Sequence, residues 1–148
     1  MRNRRSRLIV AVASLLAAPA TAFAVVPTQG ASVSLPGVRG IQTLEICTQV
    51  GGSPSCQKVA TPNIRRGRIS VKWNRGLGTG VVATPSLLPA QCNGRPGAQV
   101  RASVSHVATD ITMSVKANYA GVSTQRTLIS VRRTLHANQG ATIWACLL

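Results

Sequence analysis

The chain has 148 residues, of which 17 are basic and only 2 acidic, and just 3% are aromatic. So few acids argue against paired-carboxylate catalysis, and so large a positive field favours anionic partners while opposing self-association. The length suits a single domain with a modest core of Val, Ile, Leu and Ala.

Arg2, Arg4, Arg5 and Arg7 precede an apolar run over 8–18, and the segment closes on Ala22-Phe23-Ala24. Charged, apolar and small-residue regions in that order read as a secretory signal peptide. The run is about half the ~20 apolar residues a membrane-spanning helix needs, and Pro19 follows it, so the segment reads as a leader, not an anchor. Cleavage is expected after Ala24, with Ala20 as the alternative. No cysteine near either cut would carry a lipid. Arg4-Arg5 fits twin-arginine export poorly, because Arg7 stands where that motif takes a bulky apolar residue, so general secretion of bacterial type is expected. The expected organisation is residues 1–24 as a cleaved signal peptide and residues 25–148 as one exported β-domain, periplasmic or extracellular. That domain keeps 13 basic residues against Glu45 and Asp110, a net charge of +11. No transmembrane segment is expected in it, and its aromatic residues are Trp73, Tyr119 and Trp144.

Residues 25–30 read as a loose lead, followed by strands near 31–35 and 41–50. Gly51-Gly52 then sits midway between Cys47 and Cys56. Both glycines can take positive φ, as a two-residue hairpin turn requires. The turn would pair Val50 with Ser53, Gln49 with Pro54, Thr48 with Ser55 and Cys47 with Cys56. In that register Pro54 and the cysteines fall at non-hydrogen-bonded positions, where a missing N–H is harmless and Cα atoms approach to about 4.5 Å. The expected disulfides are therefore Cys47–Cys56 and, by elimination, Cys92–Cys146. Chain-entropy estimates give them roughly 3 and 4 kcal/mol. The absence of Cys-x-x-Cys, and of a histidine at ligand spacing, argues against zinc.

Beyond Cys56, strands are expected over 56–61 and 80–84, with period-two alternation at Ile69-Val71-Trp73, Ala98 to Val104, Ile111 to Tyr119 and Thr127 to Leu135, and a last strand over 141–147. Turn residues separate them at Pro62-Asn63, 76–80, 93–97, Gly121 and 138–140. Eight or nine short strands with one wet face each predict an all-β fold: a small disulfide-stapled antiparallel sandwich, with immunoglobulin-like architecture as one option, or a small barrel. A Tyr two residues before the second Cys would mark a true immunoglobulin domain, and Trp144 stands there instead. In the expected register, strands 98–107 and 110–119 form a hairpin that turns His106 inward and Asp110 outward, so the pair is no catalytic relay. The glycines at 76, 78 and 80 lack the Lys-Ser/Thr and helix of a phosphate loop. No catalytic residues, metal or cofactor are assigned.

Arg65, Arg66, Arg68, Lys72 and Arg75 fall within 11 positions without an acid, and are the candidate anion-binding residues. Arg101, Lys116, Arg126 and Arg132 also fall on expected wet faces. With Trp73 and Tyr119 reading as core, no stacking platform for nucleic acid is evident, and export further disfavours that partner. The expected function is a non-catalytic binder of an anionic envelope component or an acidic protein. The alternatives are a structural subunit of a surface assembly, with 143–148 as an edge strand between protomers, and an inhibitor of an extracellular hydrolase.

Overall fold

The computed structural model describes residues 28–36, 41–62, 64–74, 80–119, 121 and 123–148. The leader assigned to residues 1–24 lies outside the described residues, as do Arg75 and the glycine-rich turn up to residue 79. Among the described residues no helix is long and apolar enough to cross a membrane.

Nine strands form two antiparallel sheets: β1 (Thr28–Ser34), β2 (Ile41–Val50), β3 (Ser55–Pro62), β4 (Ile64–Asn74), β5 (Val81–Leu87), β6 (Gly97–Val104), β7 (Thr109–Tyr119), β8 (Gln125–Leu135) and β9 (Gly140–Leu147). The four-stranded sheet has the order β1-β4-β7-β8, and the five-stranded sheet β3-β2-β9-β6-β5. Two separate sheets make this the sandwich rather than the barrel. Alternation supplies the core: Ile69, Val71, Ile111, Met113 and Val115 from one sheet meet Leu44, Ile46, Val100 and Ile143 from the other, all with 0% exposure. Trp73 joins them, also buried.

The expected Gly-Gly hairpin is present. Gly51 and Gly52 have φ of 61° and 53°, and Thr48 pairs with Ser55 and Cys47 with Cys56. The ladder stops there. Gln49 instead donates its side-chain amide to the Gly52 carbonyl at 2.7 Å, so the outer pairs to Pro54 and Ser53 are not part of it. Both disulfides form, Cys47–Cys56 and Cys92–Cys146, with Cα separations of 4.1 and 5.4 Å. Each stays with the five-stranded sheet instead of bridging the two layers as the immunoglobulin disulfide does.

Four expectations need correction. Residues 28–30 are no loose lead: β1 starts at Thr28, which pairs with Asn74. Strands β6 and β7 do not form a hairpin. Residues 105–108 carry the chain from one sheet to the other, so the two apolar sets face each other across the core, and His106 is exposed. Periodicity specifies the apolar side of a strand but not whether its complement lies beside it or opposite. The terminal strand is no edge either, since β9 lies between β2 and β6 with both sides paired. Finally, a bulge at Leu128 shifts β8, pairing Ile129 with Val115 but Thr127 with Lys116. One extra residue reverses the alternation beyond it. Arg126 therefore shares a side with Ala117 and sits over the Tyr119 ring, 5.5 Å from its centroid, away from the wet face expected for it.

Candidate functional site

On β4 the even positions from 66 to 74 face away from the core, and the cross-strand register carries that face over its neighbours. Arg68 is opposite Lys116 on β7 and Ser34 on β1. Lys72 is opposite Gly30 and Thr112, and Thr112 is in turn opposite Arg132 on β8. Between these two cationic rows runs a row of serines, Ser32, Ser70, Ser114 and Ser130, one from each strand. Neighbouring strands lie about 4.8 Å apart and same-face residues about 6.7 Å along a strand, so long basic side chains from both rows reach the serines.

Three connected depressions follow β4 across this face. One of about 490 Å³ is bordered by Ser34, Arg66, Arg68, Asn118 and Gln125. The next, of about 280 Å³, shares Arg68 and Gln125 and adds Ser32, Ser70, Lys72 and Lys116. The third, of about 210 Å³, shares Lys72 and reaches Asn74, Thr112, Asp110 and Arg132. Ser70 and Ser114, on the two central strands, are only 8% and 6% exposed. Among the described residues neither hydroxyl has a hydrogen-bond partner.

Of the five basic residues singled out from the sequence, Arg66, Arg68 and Lys72 meet on this one face, all exposed. Arg65 is the extra residue of a bulge, since Ile64 pairs with Tyr119 and Arg66 with Asn118; its side chain lies outside the described ones. Arg75 falls outside the described residues altogether. Lys116 and Arg132 join the face from other strands, and the four serines were missed. Their signal was a small hydroxyl at every wet position that pairing later brings into line. Arg101 belongs to the opposite side of the molecule, on the outside of the five-stranded sheet, paired with Thr84 and Thr142.

Asp110 stands at the rim. Its carboxylate accepts hydrogen bonds from the Thr134 hydroxyl and from Arg132, the latter at 3.1 Å. The Thr134 bond, then that of Arg132, holds its pKa below the ordinary carboxylate value. Arg132 is thus partly neutralised, whereas Glu45 lies on β2 in the other sheet.

Ligating atoms of Glu45, Cys47 and Cys56 lie within 4.8 Å of one another, but both sulfurs are committed to a disulfide, and metal binding needs a thiolate. No family model, curated protein or solved structure matches the chain.

Proposed function

We propose that the chain is an exported, non-catalytic binding protein whose basic sheet face engages an anionic component of the cell envelope or an acidic partner protein. The observation that carries this reading is the convergence of Arg66, Arg68, Lys72 and Lys116 on connected depressions of one face, with a single carboxylate at the rim. Export, to the periplasm or beyond the cell, is supported by the form of the leader and by the commitment of all four cysteines to disulfides.

Retention on vesicles containing phosphatidylglycerol tests the reading. The protein should bind at low salt and release as salt screens the contacts. An R66S/R68S/K72S variant should release at clearly lower salt than a control that loses the same charge elsewhere, R95S/R101S/R133S. Equal behaviour of the two variants would reduce the face to one part of a uniformly basic surface.

A further inference from the structure

Resting on the basic face as a binding surface, we propose that its ligand is a linear chain of phosphate groups lying along β4, with one phosphate seated over the Ser70 hydroxyl. Shape points to a chain. Two of the depressions, of about 280 and 210 Å³, are smaller than the roughly 300–1,000 Å³ of sites that enclose a compact ligand, and the third, of about 490 Å³, is in the lower half of that range. The three succeed one another along β4 and share residues, from Arg66 past Ser70 to Asn74. The outward positions of that strand recur about every 6.7 Å, so a polymer with regularly spaced charges meets a cation or a hydroxyl at each step from Arg66 to Lys72 and an amide at Asn74.

The donors point to phosphate. In the middle depression Arg68 and Lys72 stand on either side of Ser70 along the strand, and Lys116 stands on the neighbouring strand. Cations of both rows, Arg68 with Lys116 on one side and Lys72 on the other, thus flank the Ser70 hydroxyl, an arrangement that suits an oxyanion with several acceptor oxygens. A planar carboxylate is best met by a bidentate Arg fork, whereas two of these three cations are lysines, which act as point charges on phosphate. Ser70 as a residue is only 8% exposed and lines the depression, and its hydroxyl, which still reaches solvent, has no protein partner among the described residues. A phosphate oxygen would supply one. The outward residues of these strands include no aromatic ring, so recognition runs through oxyanions rather than stacked rings.

The test is binding of the purified protein to long-chain inorganic polyphosphate and to poly(glycerol phosphate) over a series of salt concentrations. Orthophosphate and polygalacturonate serve as competitors. Both phosphate polymers should bind, and the tighter of the two at equal phosphate identifies the source of the chain. R68S should reduce the log–log salt slope by about 1. S70A, which removes no charge, should weaken binding by about tenfold at an unchanged slope, with its melting temperature confirming the fold. If orthophosphate displaces the polymer equally well at the same total phosphate, or polygalacturonate at the same charge, the phosphate chain is wrong while the basic face stands. If R68S weakens binding no more than R101S, the basic face itself falls.

Discussion

The two outward faces of this sandwich are built from the same alternation and put to opposite use. Outside the four-stranded sheet, exposed cations and hydroxyls flank the two nearly buried serines, Ser70 and Ser114. Outside the five-stranded sheet, Cys47, Cys92, Trp144 and Cys146 form a second, smaller core. Trp144 has its side chain on the outward side of β9, yet it is only 5% exposed. Cys47 is directly opposite it on β2, and the Cys92–Cys146 bridge closes beside it. Gly97 makes that closure feasible: a Cβ there would come within 2.5 Å of the Cys92 sulfur and of the Ala145 carbonyl oxygen. A chain poor in aromatics has thus placed one Trp and both disulfides together on one side. The other side can then carry unpaired positive charge without holding the fold together.

The asymmetry can be broken from its buried side first. Replacing Cys92 and Cys146 with Ala opens a loop with a sequence separation of 54 and should cost about 4 kcal/mol in chemical denaturation. Removing Cys47 and Cys56, separated by only 9, should cost about 3 kcal/mol. Equal losses would mean that loop closure does not set their contribution. Trp144→Ala should cost about 3 kcal/mol by the same measurement, as expected of a core side chain; a loss below about 0.5 kcal/mol would show it to be an ordinary surface residue.

On the open side, R66S/R68S/K72S should shift stability by no more than about 0.5 kcal/mol while removing most of the anion binding. A large stability loss would mean that the face is structural. The smallest effect is expected at Asp110. Its folded pKa is depressed, so its stabilisation is present above the unfolded value of about 3.9 and is lost as pH falls through the lower folded value. Wild type should lose slightly more stability than D110N over that acidic window. At neutral pH D110N should bind anions more tightly, because Arg132 is released to the face. Weaker binding would place the carboxylate inside the site as a positioning group.

Legibility in the sequence followed the range of the interactions. The Cys47–Cys56 hairpin is local: two glycines of positive φ and a nine-residue separation determine it, and the tertiary structure only shortens its ladder. The second disulfide was legible by elimination alone. The side of β4 that Arg68 and Lys72 occupy could be read from alternation. That Lys116 shares their depression could not, because it depends on β7 pairing with β4 instead of with β6. The bulges at Arg65 and Leu128 were equally silent, since each inserts one residue without a distinctive composition.

The sequence by itself determined an all-β chain of nearly alternating strands, the partners of its four cysteines and a strong excess of positive charge. These rest on side-chain period, turn chemistry and counting, which need no long-range information. Only the tertiary structure decided which strands share a sheet, that both disulfides gather around Trp144, and that cations from β4, β7 and β8 flank one row of serines. Pairing across the chain is chosen by the burial of whole faces at once, and no local segment records that choice.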